Sequence, residues 1–220
     1  MKATKAFLIG ALVMAVFAIA LLTDFPKWYK YRKGDVKNFN EISSAELNEG
    51  DLVKGHIYVT YGAAVERQET KKRFGITTSK STTMKYYCVL TTDKQCILYS
   101  TNKSDEYALL DRYANDLEAF YTKLNGDPDS LTENDVPVLE LPFEAVVQKL
   151  PKDVNNLFAE WYEDGYEEDC NSKVYLSRAN FDGYQTTVFI GFGLAGGAVI
   201  LLVLFIFFTV KGKKGAQYGY

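Results

Sequence analysis

The sequence predicts an α+β fold: a mainly antiparallel sheet with two amphipathic helices, flanked by N- and C-terminal transmembrane helices. Uncharged apolar runs near both ends of the chain, Ala6 to Leu22 and Val188 to Val210, predict the membrane helices. The polar stretch between them carries alternating strand patterns and two helical patterns. The predicted parts are an anchor at residues 1–23, an α+β domain at 24–187, a membrane helix at 188–210 and a short basic cytoplasmic tail at 211–220.

The first apolar run fits two interpretations. It follows Lys2 and Lys5, is close to the shortest helix that can span a bilayer, and ends on the small-x-small tripeptide Ala18-Ile19-Ala20, as a cleaved signal peptide does. Aromatic and basic residues beyond it favour a retained anchor instead, because such residues settle at membrane interfaces. The predicted membrane-interface residues are Trp28, Tyr29, Lys30, Tyr31 and Arg32.

Strand patterns fill the first half of the polar region. Asp51 to Gly62 alternates in polarity like one strand, and Lys85 to Thr101 reads as two strands around a turn at Thr91 to Gln95. The polar segment Glu66 to Thr82 is either a long hairpin tip or a mobile loop. We therefore predict three antiparallel strands in sequence order, and a barrel-like variant of this sheet remains open.

Helical patterns follow. Leu110, Tyr113 and Leu117 recur at helical spacing in a helix that begins at Ser104 and stops at Gly126. A second amphipathic helix opens at Pro151. Short strands are predicted at Val136 to Pro142, between the helices, and at Ser172 to Ser177, after them.

Several segments together resemble a group of uncharacterised bacterial membrane proteins with one domain between two membrane helices. The resemblance rests on EGDLVKGHIYVTYG, on KYYCVL after a charged and Thr-rich loop, and on SDEYALLDRY. These are strand and helix patterns without a catalytic motif, so the resemblance transfers no function. It implies a Gram-positive cell membrane.

Composition excludes several classes of function. A net charge of −3 is too small to indicate nucleic-acid binding. The single histidine, His56, cannot supply a histidine-based metal site, and no nucleotide-binding or hydrolase motif occurs. The three cysteines, Cys88, Cys96 and Cys170, are interpreted as small buried hydrophobes, although an odd-length loop would let the first two meet. We expect no catalytic residue, no cofactor and no metal.

Charged segments are the candidate binding surfaces. Arg67, Lys71, Lys72 and Arg73 form a basic run in the predicted loop, and loops on rigid scaffolds often bind partners. Glu163 and Asp164 belong to an acidic cluster that follows Trp161. A further acidic loop could serve an enzyme with an unrecognised site, and it contains Asp127, Asp129, Glu133 and Asp135.

Small residues in the apolar runs predict close helix packing. Gly193 and Gly197 form a G-x-x-x-G motif, and Ala11 and Ala15 lie on a small face of the first helix. These faces suit intramolecular pairing, a homodimer or a larger partner subunit. Neither run contains an ionisable residue, which argues against a channel or a proton-coupled transporter.

These patterns favour a membrane-anchored, non-enzymatic binding or accessory domain of the cell envelope. Its expected partners are the lipid membrane and either another protein or a second copy of itself. Basic residues flank both sides of the apolar runs, so charge alone does not decide the topology. The signal-like start and the terminal lysine cluster favour cytoplasmic termini with the domain outside. The alternative is a cytoplasmic-facing membrane scaffold.

Overall fold

The structure, a computed structural model, describes residues 2–73, 76–126, 131–132 and 135–217. The chain divides into a helical unit, Met1–Gly34 with Asn180–Tyr220, and a sheet unit, Asp35–Ala179. The elements, in chain order, are α1 (Lys2–Leu22), α2 (Phe25–Arg32), β1 (Lys37–Asn38), a 3-10 turn (Ser44–Glu46), β2 (Leu52–Ile57), β3 (Thr60–Arg73), β4 (Ile76–Leu90), β5 (Cys96–Thr101), α3 (Ser104–Gly126), β6 (Leu141–Lys149), α4 (Lys152–Tyr162), α5 (Tyr166–Asp169), β7 (Val174–Arg178) and α6 (Phe181–Gln217).

The predicted α+β class with a mainly antiparallel sheet is confirmed. Within the described ranges, seven strands form one sheet in the order β1-β2-β6-β7-β5-β4-β3, and only the β1–β2 and β5–β7 strand pairs are parallel. The late strands β6 and β7 therefore lie between β2 and β5. The three antiparallel strands predicted in sequence order are observed as β3, β4 and β5. The rest of the sheet does not follow sequence order, because both late strands return to its centre.

The segment Asp51 to Gly62 is two strands, whereas the alternation predicted one. Its first part, β2, pairs with β6, and its second part begins β3, which pairs with β4 at the other edge. Tyr58 and Val59 alone connect them. A two-residue link spans only about 10 Å, so the sheet curls strongly to bring its two ends together.

The segment Glu66 to Thr82 belongs to a long hairpin. β3 pairs antiparallel with β4 from Thr60–Val89 out to Arg73–Ile76, with several register shifts along the ladder. Of the two interpretations left open by the sequence, the hairpin is the observed one. The side chains of residues 68–83 lie outside the described part of the chain.

A helix covers each face of the sheet, because both faces are apolar. Along β4, Tyr87 and Val89 point to the core under α3, and Tyr86 and Cys88 point to the core under α4. All three cysteines are buried on the α4 side, as their interpretation as small hydrophobes predicts. Leu90 pairs with Cys96 across the odd-length turn, which puts Cys88 and Cys96 on the same face.

The helices of the sheet unit follow the predicted patterns, but one strand does not. The strand predicted at Val136 to Pro142 is displaced to β6, Leu141–Lys149, which runs between β2 and β7. Pro142 obscures this strand in the sequence because proline rarely occurs inside a sheet. Here it is tolerated because the backbone of His56, opposite Pro142 in β2, bonds to Asn40 instead, and β7 pairs with β6 only from Ala145 onward.

In the helical unit α1 and α6 pack along each other, and α2 packs on the start of α6. The ring centroids of Phe25 and Phe192 lie 5.8 Å apart, and those of Trp28 and Phe189 lie 6.2 Å apart. Two segments, Lys5–Leu22 and Phe181–Lys211, are long and apolar enough to cross a membrane. Because α2 and the first turns of α6 join this unit, the sheet unit lies inside the limits predicted at residues 24 and 187.

Candidate binding groove

An open groove runs between β3, α3 and the end of α4. Its volume is about 680 Å³. Gly62 and Ala63 of β3 and Ala114 of α3 contribute small side chains to its wall. Gly62 has a φ of +107°, and a Cβ built on it would lie 3.5 Å from the Ala114 Cβ. The small residues therefore leave the space that the groove occupies.

Three aromatic rings line the groove and remain partly exposed. They are Tyr61 of β3, Tyr121 of α3 and Trp161 of α4. Burial raises the pKa of Tyr61, so its hydroxyl is a neutral hydrogen-bonding group at physiological pH. Exposed rings in a concave site provide contact area for aliphatic and aromatic groups and for cations.

The polar lining is acidic. Asp111 accepts hydrogen bonds from the Tyr87 hydroxyl at 2.7 Å and from Lys85 Nζ at 2.9 Å, and Lys85 also pairs with Glu66 at 2.8 Å. Burial alone would lower the pKa of Lys85, but its two carboxylate partners outweigh it and the pKa is raised. Glu118 adds a second carboxylate to the lining, and none of the described residues that line the groove is Lys or Arg.

The helical spacing that predicts α3 continues past the part of the helix that is buried. Leu110 and Tyr113 are indeed buried, but Tyr121 is 47% exposed. With 23 residues, α3 is roughly 35 Å long at 1.5 Å per residue, and its buried residues, Glu106, Leu110 and Tyr113, all lie in its first half. The core therefore leaves the second half of the helix uncovered, and its aromatic stripe forms a groove wall there. Apolar periodicity shows that the helix has an apolar face, but it does not show whether another element covers that face.

The basic run at the hairpin lies only partly within the described structure. Arg67 Nη2 donates to Asp153 Oδ2 at 2.6 Å, and its guanidinium lies 6.0 Å from the centroid of the Tyr86 ring. Arg67 thus joins β3 to the first turn of α4. Lys71, Lys72 and Arg73 belong to the backbone of β3, and their side chains are outside the described residues.

The two acidic segments predicted from the sequence are described to different extents in the structure. Glu163 ends α4 with a φ of +61°, and Asp164 is exposed in the turn that follows, so both remain candidate partner-binding residues. In the other loop, Asp135 accepts hydrogen bonds from the backbone N–H and hydroxyl of Thr132 at 2.9 and 2.8 Å and contacts Lys123. Its predicted neighbours Asp127, Asp129 and Glu133 lie outside the described residues.

The predicted membrane-interface residues Trp28, Tyr29, Lys30, Tyr31 and Arg32 all belong to α2. Tyr31 donates its hydroxyl to Asp182 Oδ1 of α6 at 3.0 Å, which orients α2 along the start of that helix. An aromatic, basic helix directly after an apolar one is the arrangement expected of an interfacial anchor.

Small residues bring α1 and α6 close, but not all of the predicted ones take part. A Cβ on Gly197 would lie 2.8 Å from Met14 Cε, and one on Gly191 would lie 3.0 Å from Leu22 Cγ. Ala11 is buried and Ala15 is half-buried. A Cβ on Gly193 would meet nothing within 4 Å, so this half of the motif faces away from the packed helix.

Metal and histidine chemistry have little support among the described residues. No group of three or more His, Cys, Asp or Glu among them is placed to hold a metal ion. His56 lies in β2 with its Nε2 3.8 Å from Glu140 Oε1, and its backbone N–H and C=O are bonded by the side-chain amide of Asn40. This histidine is part of a strand edge that Asn40 completes.

A family model described as Domain of unknown function (DUF8577) matches residues 1–211, so the chain belongs to this family. The predicted resemblance to an uncharacterised family is thereby confirmed, and the bacterial, Gram-positive origin stays a prediction. No curated protein and no solved structure matches the chain.

Proposed function

We propose that this protein is a membrane-anchored, non-enzymatic binding domain of the cell envelope, and that the groove between β3 and α3 holds its partner. One observation carries the proposal: three partly exposed aromatic rings line an open groove of about 680 Å³ in the sheet unit. Exposed aromatic surface in a concave site is costly to leave in water and is typical of binding sites.

The chemistry of the lining favours a protein partner with a basic or neutral segment. Asp111 and Glu118 make the groove acidic, and the rings of Tyr61, Tyr121 and Trp161 can stack on Lys or Arg side chains. Acidic segments would be repelled.

The proposed location is the cell membrane, with both termini cytoplasmic and the sheet unit outside. Both ends of the sheet unit lead into helices apolar enough to span a bilayer. Lys2 and Lys5 precede the first apolar run, and Lys211 follows the second. Clusters of this kind favour the cytoplasmic side. The aromatic and basic residues of α2 support a lipid contact at the interface.

Site-specific photocrosslinking in intact cells tests the binding site. A benzophenone amino acid replaces Tyr121, which is 47% exposed in the groove, or Tyr58, which is 50% exposed outside it. We expect a discrete crosslinked protein band from position 121 and none from position 58. The same yield from both positions, or none from position 121, would contradict the proposed site.

A matched pair of substitutions tests whether the groove itself is occupied. Asn115 lines the groove, whereas its exposed neighbour Asp116 on α3 does not. Asn115→Trp should abolish the crosslink from position 121 by filling the groove, and Asp116→Trp should leave it intact. Equal effects of the two substitutions would mean that the partner binds elsewhere.

Topology is tested separately with a membrane-impermeant maleimide. The native thiols are buried, so the wild-type chain provides a low background, and Tyr58→Cys adds one exposed thiol. Labelling of this variant on intact cells supports an extracytoplasmic domain. Protection until lysis would favour the cytoplasmic scaffold.

A further inference from the structure

We propose that Cys96 and Cys170 form a disulfide-forming site that a hydroperoxide oxidises, while Cys88 stays reduced beside them. This inference concerns the α4 side of the sheet and is independent of the groove. The three thiols come from β4, from β5 and from the end of α5, and all are buried in one cluster.

Backbone geometry selects Cys170 as the partner of Cys96. The two residues form a parallel β-bridge, and the Asn171 N–H donates to the Cys96 carbonyl at 2.8 Å. Neighbouring strands lie about 4.7–4.9 Å apart, which falls inside the 4.4–6.8 Å range of Cα separations that disulfides span. The side chains of Cys96 and Cys170 also belong to the same buried cluster.

The same geometry disfavours Cys88. In the β4–β5 ladder Cys88 lies opposite Leu98, and Cys96 lies opposite Leu90, so the two cysteines are diagonal neighbours. Diagonal neighbours in an antiparallel pair are about 7–8 Å apart, beyond the roughly 7 Å at which a disulfide requires backbone movement. Cys88 can hydrogen-bond to Cys96 but is poorly placed to bond to it covalently.

The hydrogen bonds prepare the cluster for oxidation. The neighbouring Cys170 and Cys88 thiols and the Tyr162 hydroxyl hold the pKa of Cys96 below its ordinary value despite burial. Donation to Cys96, together with burial, raises the pKa of Cys170. Cys96 is therefore the thiol that ionises first, and its thiolate can accept the proton of Cys170 when the Cys170 sulfur reacts.

Access to the cluster limits the oxidant to a small molecule. Cys170 is 6% exposed and lines a cavity of about 300 Å³ beside the 3-10 turn, whereas Cys96 is 1% exposed. Hydrogen peroxide can enter such a cavity. A thiol of another protein cannot approach a sulfur buried to this degree.

The reaction balances with one peroxide. The Cys96 thiolate takes the proton of Cys170, the Cys170 sulfur attacks peroxide, an S–O bond forms, the O–O bond breaks, and Cys170 becomes a sulfenic acid as hydroxide leaves. The Cys96 sulfur then attacks the sulfenic sulfur, and the S–S bond forms. The displaced hydroxyl leaves as water with the Cys96 proton. Two electrons pass from the two sulfurs to the two peroxide oxygens.

The new bond would tie β5 to the segment between α5 and β7. Phe158 and Tyr162 of α4 belong to or pack on the same cluster. Oxidation would thus fasten the end of the α4–α5 region to the centre of the sheet.

The test uses the full chain in detergent micelles. Folded protein is exposed to hydrogen peroxide, its remaining thiols are alkylated under denaturing conditions, and trypsin then cuts it. Cleavage after Lys85, Lys94, Lys103, Lys152 and Lys173 places the three cysteines on three different peptides. We expect the Cys96 peptide linked to the Cys170 peptide in most molecules and an alkylated Cys88 peptide.

Three results would overturn the proposal: three alkylated thiols after peroxide treatment, a dominant Cys88–Cys96 link, or overoxidised Cys170 without a link. This measurement on the wild-type chain requires no variant to fold. Chain oxidised in denaturant serves as the control and should give mixed pairings.

Variants provide a second readout. Cys88→Ser should keep the link, and Cys96→Ser should leave Cys170 as a sulfenic acid that dimedone traps. If the Cys96–Cys170 link disappears in Cys88→Ser, although circular dichroism shows that the protein is folded, the proposed cysteine pair is wrong.

Discussion

Replacing Glu106 by alanine should lower the stability of the sheet unit more than any exposed substitution on the same helix. The Glu106 side chain is only 7% exposed in the first turn of α3. Its carboxylate accepts hydrogen bonds from the Tyr99 hydroxyl at 2.8 Å and from Arg178 Nε at 2.9 Å. The carboxylate therefore joins α3 to β5 and β7 at once.

The expected loss of stability follows from the two side chains that lose their hydrogen-bond acceptor. Arg178, whose side chain is 18% exposed, would keep a charge with its main partner removed, and the buried Tyr99 hydroxyl would lose its acceptor. Breaking such a pair costs about 3–5 kcal/mol. For a domain of this size the midpoint of thermal unfolding should fall by roughly 10 °C.

The assay is thermal unfolding of the full chain in detergent micelles, followed by tryptophan fluorescence. The chain has two tryptophans, so Trp28→Phe leaves Trp161 of α4 as the reporter of the sheet unit. Asp105→Ala is the matched control, because it removes one exposed carboxylate from the same helical turn and should cost at most about 1 kcal/mol.

Equal destabilisation by Glu106→Ala and Asp105→Ala would refute this reasoning. A double-mutant cycle sharpens the test: Tyr99→Phe should cost about 1 kcal/mol in the wild-type chain and less in the Glu106→Ala background. Additive costs would show that the hydroxyl and the carboxylate do not interact.

Two further predictions concern a glycine and a carboxylate. Gly62→Ala should cost about 1–2 kcal/mol in unfolding experiments, because φ is +107° there, whereas Gly126→Ala, with open space around it, should cost nothing or stabilise. At Asp93, burial alone would raise the pKa, but hydrogen bonds from Thr91 and Ser44 outweigh it and hold the pKa below its ordinary 3.8. The ionised form therefore stabilises the fold above that pH and the contribution is lost as the pH falls through the folded-state pKa. Asp93→Asn should be less stable than wild type at neutral pH, and the difference should shrink in acid titrations monitored by fluorescence; a constant difference would contradict the assignment.

Local patterns in the sequence predicted the helices, because apolar spacing and terminal residues within each segment determine them. The helices at Ser104–Gly126 and Lys152–Tyr162 follow from apolar periodicity and from the glycine and proline at their ends. The apolar runs predicted the two candidate membrane helices in the same way.

Local sequence patterns do not predict which strands pair with each other. Alternation marks β2 and β3 as extended chain, but it cannot reveal that they pair with β6 and β4 at different places in the sheet. A strand pairs with whichever edge the rest of the chain presents, and this depends on contacts distant in sequence. The sequence also places β6 too early in the chain, because Pro142 obscures the start of this strand.

The amino-acid sequence by itself determined an α+β domain between two apolar helices, because hydrophobic periodicity and the length of an apolar run are local properties of one helix or one strand. Only the tertiary structure left the second half of α3 uncovered by the core, which exposes Tyr121 in a groove. Only the tertiary structure brought Cys170 beside Cys96. Both results depend on which surfaces cover one another, and that is decided when distant segments compete for the same apolar faces.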